Sequence, residues 1–427
     1  MSKAIIWRLT SGSDRRFRSG HPWVYSNELE GSPKGIEPGA PVELRDPSGK
    51  FLARGFGNPG SLIAFRALSR DAAEEDVGSV EFFERRFRMA LRLRMLSGLT
   101  EFSHRLCFGE ADLLPGLIVD RYLTSEKKQV TVIQAHAAGM DRCLTQITEA
   151  LEKVYPGTAL VIRNDLSVRK LEGIVEESPR VLRDLTGANL SDIRIRVRPV
   201  RGESALLFSV DLVEGQKTGF FLDQSANIRL ALERLSGLPA SNSGNSRRLR
   251  VLDLFSYVGQ WGTQFARFFK EAGVALDVVC VDASARALEF AKKNVEAEGA
   301  RCETVKSDIL KDFASFEADH AGTFDVVICD PPALIKGRKD IPTGKHAYLQ
   351  ANTQVFRLVK RGGGVVSCSC SGLLEEEDFV STLGKAATRN LASVRWVGRG
   401  AQAPDHPLRA EFPEGRYLKS WVGILDP

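Results

Sequence analysis

Across residues 1–75 the apolar positions come in short runs broken by glycine and proline: Trp23-Val-Tyr25, Pro41-Val-Glu-Leu44, Phe51-Leu-Ala53 and Leu62-Ile-Ala-Phe65. Turn residues stand between them, in Asp46-Pro-Ser-Gly49 and Asn58-Pro-Gly60. Short strands at that spacing predict a small β-barrel. An acidic stretch, Asp71 to Asp76, leads into an amphipathic helix over 79–97, with Phe82, Phe83, Phe87 and Met89 set among arginines. Strand patterns at Gly116–Asp120, Gln129–Ile133 and Ala159–Arg163, with a helix near 138–153, predict a middle α+β domain over 79–190. The polar segment Ser236–Arg248 reads as an exposed loop.

A different rhythm begins at Leu249. Apolar strands now alternate with helices: Leu249–Leu254, a helix through about 271, Asp277–Asp282, a helix near 284–298, Glu303 to Val305, Phe324–Asp330, a helix near 346–360, and a strand from Gly362. That alternation predicts an α/β arrangement, a parallel sheet with right-handed crossovers, within a third domain, 191–427. Ligands of such sheets bind at the carboxyl ends of the strands.

The composition of the 427 residues, 43% hydrophobic and 26% charged, excludes a disordered chain. No run of apolar residues is long enough for a transmembrane helix. The first residues lack the apolar core of a signal peptide. Seven cysteines without regular spacing point to a reducing compartment, so a cytoplasmic protein is expected. The net charge is +5, from 59 basic and 54 acidic residues, which permits a polyanionic partner. Two concentrations of arginine suggest where it would bind. One is Arg15, Arg16 and Arg18; the other is Arg194, Arg196 and Arg198, which strand alternation puts on one face.

The candidate chemistry sits at strand ends. Asp253, Asp282 and Asp308 each close a strand, and an acid at the end of the second strand suits the hydroxyls of a ribose. The first turn, with Ser256, Tyr257 and Gly259, lacks the full glycine pattern of a pyrophosphate site. A ligand with a ribose and no phosphate fits better, and S-adenosylmethionine is such a ligand. Asp330 is held by Pro331 and Pro332, which restrict the backbone beside it. Its carboxylate could face a planar ring bearing an amino group, and the neighbouring sequence offers no polar partner. Cys370 ends the next strand. Carbon 5 of a pyrimidine becomes nucleophilic once a thiolate adds at carbon 6, so Cys370 and Asp330 form a candidate catalytic pair. No second cysteine pair or histidine cluster completes a metal site, and none is expected.

Lys217-Thr-Gly-Phe-Phe-Leu-Asp-Gln224, Asp253-Leu-Phe-Ser-Tyr-Val-Gly259, Asp330-Pro-Pro332 and Ser369-Cys-Ser-Gly372 together resemble the large-subunit ribosomal RNA methyltransferases that make 5-methylcytidine. The resemblance runs through the whole chain. Arg15-Arg-Phe-Arg18 and Gly20-His-Pro-Trp-Val-Tyr25 look like that family's PUA RNA-binding domain. Gly109–Arg121, Arg163-Asn-Asp165, Arg169–Gly173, Asp405-His-Pro407 and Tyr417-Leu-Lys419 match as well. The resemblance implies a Rossmann-like methyltransferase domain using S-adenosylmethionine, a 23S ribosomal RNA substrate and Cys370 as nucleophile. It adds Phe220, Phe221 and Asp223 to the cofactor pocket, and a homodimer to the expected partners.

Three positions depart from the pattern. Ala333 stands where many cytosine-C5 RNA methyltransferases carry a second cysteine. Ser225 replaces an arginine usual after Gln224, with Arg229 displaced. Cys368 lies on the same strand face as Cys370 and competes for its role. Two other readings stay open: methylation of another position such as guanine N7, which needs no thiol, and a non-catalytic RNA-binding protein.

Overall fold

A computed structural model describes residues 5–31, 33–239, 241–243 and 246–426. Backbone packing divides the chain into two units. The first holds residues 1–196 together with Asp211–Leu222 and Pro404–Gly415; the second holds Val197–Val210, Asp223–Ala403 and Arg416 onward. Residues 191–196, Asp211–Leu222 and Pro404–Gly415, three segments from within 191–427, therefore fold with the N-terminal unit.

The first unit begins with the expected barrel. Five strands, Ile5–Arg8, Trp23–Tyr25, Ala40–Arg45, Phe51–Gly57 and Ile63–Ser69, pack around Phe17, Val24, Leu44, Ala53 and Phe65. Lys3, a further basic residue of the N-terminal stretch, lies outside the described residues. The helix spans Val80–Leu96 and is capped by Ser79, whose side chain accepts from the Phe82 N–H. Phe82, Phe83 and Phe87 are buried, whereas Met89 faces outward. Arg94 takes an inward position instead, fully buried and bidentate on Asp112 at 2.5 and 2.8 Å. A second five-stranded sheet follows, and the expected helix 138–153 breaks at Cys143 into Ala138–Arg142 and Leu144–Val154.

A polar knot joins barrel and sheet into one unit. Buried Glu172 accepts from Asn58, Ser61 and Arg66 at 3.0, 2.7 and 2.8 Å. The Asp405-His-Pro407 turn is anchored in the same unit. The Asp405 carboxylate accepts from the Arg105 N–H at 2.9 Å and pairs with His406, which holds it below the usual carboxylate range despite burial. Arg94 donates to the Asp405 carbonyl at 2.7 Å.

The second unit is the expected α/β domain. Its strands are β1 (Ser246–Leu254), β2 (Val274–Asp282), β3 (Arg301–Lys306), β4 (Phe324–Cys329), β5 (Val359–Ser369), β6 (Val394–Gly400) and β7 (Lys419–Leu425). They lie in the order β3-β2-β1-β4-β5-β7-β6, with β1 to β5 parallel and β7 antiparallel to both neighbours. Period-two geometry sends Leu249 and Val251 to one face and Leu252 and Leu254 to the other. Helices Ser225–Leu235, Gln260–Glu271 and Ala285–Ala297 cover the first face, while Ile341–Leu358 and Glu376–Arg389 cover the second. Two covered faces explain strands that are apolar throughout. The segment Ser236–Arg248 is more ordered than a loop: Ser241–Ser243 pairs antiparallel with the start of β1, and residues 240, 244 and 245 lie outside the described residues. Among the described residues no helix is long and apolar enough to cross a membrane.

Candidate active site

Sheet order reverses at β1, which is flanked by β2 and β4, and the candidate residues gather at the carboxyl ends of these strands. The turn after β1 is unusual. Phe255, Tyr257 and Gly259 have φ of 62°, 47° and 74°. A non-glycine residue in this region costs about 1–3 kcal/mol and persists only when its surroundings hold it there. Asp282 supplies part of that hold: its Oδ2 accepts from the Tyr257 N–H at 2.9 Å and its Oδ1 from the Ser284 N–H at 2.8 Å. Gly259 is required for a second reason, since a Cβ there would stand 3.0 Å from Cα and Cβ of Ala291.

Asp253 is completely buried at the end of β1. Its Oδ2 accepts from the Gly262 N–H at 3.1 Å, and its Oδ1 has no hydrogen-bond partner. Burial, with smaller contributions from Asp330 and Asp282, pushes its carboxyl up to about 8. An unmatched buried polar atom costs about 1–3 kcal/mol, so this oxygen fits a site completed by a ligand. Asp282 fits the same ligand, because a carboxylate with one bond at each oxygen still has lone pairs for hydroxyl donors. Asp308 lies two strands out. It is half-buried, accepts from the Leu310 N–H at 3.2 Å and pairs with Lys311 at 2.8 Å, which lowers its carboxyl.

The Asp253 carboxyl makes a pH prediction. An aspartate raised from 3.8 to about 8 is protonated in the fold and ionised in the unfolded chain between those values. Its contribution to stability is complete below the lower value and is lost as pH rises through the upper one. Asp253→Asn should therefore flatten the fall in melting temperature between about pH 5 and pH 8. Thermal denaturation across that range checks it; an unchanged slope would show that Asp253 is ionised in the fold.

Asp330 is not without partners, as the neighbouring sequence suggested. Gln224 Nε2 donates to its Oδ1 at 2.8 Å and Trp261 Nε1 to its Oδ2 at 3.0 Å. Asn227 in turn donates to Gln224 Oε1 at 2.7 Å. The carboxylate is thus fixed as an acceptor at both oxygens. Cys370 lies just past β5, partly exposed, with its Sγ 3.7 Å from the Pro331 carbonyl oxygen. The structure therefore brings Cys370 against the Asp330-Pro-Pro segment. Cys368 is a poorer nucleophile: it is fully buried, bonded to Ser420 at 3.4 Å, and burial pushes its thiol well up.

Three further side chains frame this corner. Tyr348 shares a hydrogen bond with Ser371 Oγ at 2.9 Å, and burial pushes its hydroxyl up to about 12. Lys419 Nζ donates to the Ser371 and Tyr417 carbonyls, both at 3.0 Å. Trp261 and Gln224 stood in or beside the motifs, yet only the register of the fold aims them at Asp330.

The other expected residues divide between the two units. Phe220 and Phe221 belong to the first unit, where Phe221 stacks under Lys217 at 4.6 Å. Asp223 is buried in the second unit and accepts from the Tyr417 hydroxyl at 2.5 Å. Arg229 turns to the Pro199 and Val200 carbonyls, both at 3.4 Å, and does not substitute for the missing arginine at 225.

Among the barrel arginines, Arg16 is held inside the unit by Glu28 at 2.9 Å and the Trp23 carbonyl at 3.1 Å. Arg18 bridges Asp14 and Asp46, both at 2.5 Å. Glu28 and Asp46 come from distant turns of the barrel and Asp14 from four residues before Arg18; Arg16 is half-buried, while Arg18 stays exposed beside its two carboxylates. Arg15 is exposed. Arg194 and Arg198 are also exposed and Arg196 is half-buried, an alternation that follows the strand Ile193–Val197.

A family model described as a PUA-like domain matches residues 8–70, and one described as a methyltransferase domain matches residues 245–408. The chain is 32% identical to ribosomal RNA large subunit methyltransferase I of Pseudoalteromonas translucida, over 99% of this chain and 99% of the relative. It is 32% identical to the protein of the same name from Photobacterium profundum, over 97% of this chain and 98% of the relative. A solved Streptococcus mutans protein described as a SAM-dependent methyltransferase superposes with a TM-score of 0.74 at 17% identity, covering 98% of this chain and all of that one. A second solved methyltransferase, complexed with SAH, superposes at 0.75 and 18% identity over the same share. These two likenesses establish the fold.

Proposed function

The chain belongs to the ribosomal RNA large subunit methyltransferase I family, and on that premise we propose that it methylates carbon 5 of a cytidine in 23S ribosomal RNA. It is an S-adenosylmethionine-dependent methyltransferase with a PUA-like barrel and a Rossmann-like catalytic domain. The observation that carries the cytosine-C5 reading is the placement of Cys370 Sγ 3.7 Å from the Pro331 carbonyl, beside the clamped Asp330.

S-adenosylmethionine, when bound, supplies an electrophilic methyl group. Asp253, Asp282, Ser256, Tyr257 and Gly259 would hold it at the ends of β1 and β2, with Asp308 at the end of β3. Phe220, Phe221 and Asp223 keep the support of the family motif. The Cys370 thiolate adds to carbon 6 of the cytosine, forming an Sγ–C6 bond and making carbon 5 nucleophilic. Asp330, an acceptor at both oxygens, meets the exocyclic amine as donor and resists the negative charge of a wrongly placed carbonyl. Once carbon 5 carries the methyl group, its proton passes to a solvent water, the C5–H electron pair forms the C5–C6 double bond, and the Sγ–C6 bond breaks to return the Cys370 thiolate. With Ala333 in place of the second cysteine, no thiol at that position assists this release. The base must leave its stack to reach this corner.

The barrel and the arginine strand would position the RNA through its phosphates. Arg15, Arg18, Arg194 and Arg198 are the exposed members of the two groups, and Arg16 and Arg196 are half-buried. Arg15→Ala should lower the slope of log affinity against log salt by about one, whereas Arg16→Ala and Arg18→Ala should lower barrel stability. An unchanged slope in filter binding at several salt concentrations would take Arg15 out of the footprint. A homodimer and a cytoplasmic site complete the proposal, on the family resemblance and on seven free cysteines. Nucleoside mass analysis of unmodified 23S RNA incubated with the protein and labelled S-adenosylmethionine tests the whole reading. Label in 5-methylcytidine supports it; label in 7-methylguanosine, or none, overturns it.

A further inference from the structure

Lys419 opens β7 and pairs across the antiparallel ladder with Ser369, one residue before Cys370. Its side chain is buried, and its ammonium donates to the carbonyls of Ser371 and Tyr417 at 3.0 Å each. The cation is therefore wrapped around the residue that follows the nucleophile. Among the described residues no carboxylate lies within ion-pair distance of it. A buried ammonium with only neutral acceptors is costly, and an anion alongside offsets that cost.

We infer that Lys419 is a positioning residue for the methyl transfer, its ammonium holding Cys370 as the thiolate that adds to the base. This rests on the reading of Cys370 as the nucleophile. The charged and titratable groups around the pair divide clearly. Burial lowers the Lys419 ammonium, while Cys370, Glu375 and Glu376 act in the opposite direction. Tyr348, from the helix behind, is a neutral phenol whose ionised form the Cys370 charge disfavours. Cys368, on the same strand, is a neutral thiol, and Asp330 at the end of β4 opposes a second negative charge. Lys419 is the cation among these groups, and its charge favours the thiolate. The Cys-His pairs of other thiol enzymes work through the same principle, a cation beside the sulfur.

The test is the rate at which Cys370 is alkylated by iodoacetamide as a function of pH, located by peptide mass analysis. Wild type should reach half its maximal rate below about pH 8.5, the value for an ordinary thiol. Lys419→Met should move that midpoint up by about one unit or more, so that alkylation at pH 7 slows about tenfold. Lys419→Arg should keep it within a few tenths of the wild-type value. An identical profile in Lys419→Met, or a wild-type midpoint at or above that of an ordinary thiol, overturns the inference. The wild-type profile needs no variant, so a Lys419→Met protein that fails to fold does not shelter it. Failure of the parent reading looks different: a Cys370→Ala enzyme that still makes 5-methylcytidine removes the nucleophile, while the alkylation profile continues to report on Lys419.

Discussion

Replacing Cys370 with alanine is expected to abolish 5-methylcytidine formation, lowering turnover by several orders of magnitude. The reason is chemical rather than structural. Carbon 5 of cytosine is a poor nucleophile until a group adds at carbon 6, and nothing else at the end of β5 can add. Cys368 is two residues away, but it is fully buried against Ser420 and kept protonated by burial. Cys329, at the end of β4, is likewise buried, and its thiol is pushed up by burial and by Asp330. Cys370 is only partly buried, so the alanine variant should fold and should bind S-adenosylmethionine with unchanged affinity. Activity is measured by label in 5-methylcytidine, and binding by calorimetry. Retained turnover with retained binding would point to a target atom that needs no thiol.

Asp330→Asn should lower kcat by about 100- to 1,000-fold, the usual loss when one preorganised polar group is removed from a reacting centre. Asparagine preserves size but replaces one acceptor oxygen with a donor. Gln224 Nε2 and Trp261 Nε1 both donate to this side chain, at 2.8 and 3.0 Å, so an amide must face one donor with another. The exocyclic amine of the base loses its acceptor at the same time. The substrate KM should change less than kcat, because the carboxylate matters most once the thiolate has added. Steady-state kinetics with RNA as the varied substrate separates the two; an effect confined to KM would reduce Asp330 to a binding residue.

Much of the catalytic domain was legible because its central strands are covered on both faces. Leu249–Leu254 and Phe324–Asp330 are almost continuously apolar, and an acid that interrupts such a run at its end stands out. The fold then gathers Asp253, Asp282, Asp330 and Cys370 at neighbouring strand ends, as a parallel sheet with its ligand at that edge requires. The two C-terminal strands were not legible. Val394–Gly400 is an outer strand with every second residue exposed and glycines at 398 and 400, and nothing in its neighbourhood marks it as sheet.

The arginines show what spacing along the chain leaves out. Read along the chain, Arg15, Arg16 and Arg18 form one basic cluster. In space two of them belong to ion pairs with Glu28 and Asp46, carboxylates that only barrel closure brings near. The clamp on Asp330 was out of reach for the same reason. Gln224 and Trp261 are far from residue 330 in sequence, and their aim depends on how two helices seat on one sheet face. Asp405-His-Pro407 carries family character but anchors a segment in the first unit, through Arg94 and Arg105. A motif in a sequence does not say which unit it serves.

The central claim is that Cys370 forms a bond to the base. An RNA substrate carrying 5-fluorocytidine tests it most directly, since fluorine at carbon 5 cannot leave as a proton does and the thiol then stays attached. The account predicts a protein–RNA complex that survives denaturing electrophoresis, requires S-adenosylmethionine, and maps by peptide mass to Cys370. A denaturable complex on RNA that the enzyme nonetheless binds and methylates, or a bond mapped to another residue, would contradict it.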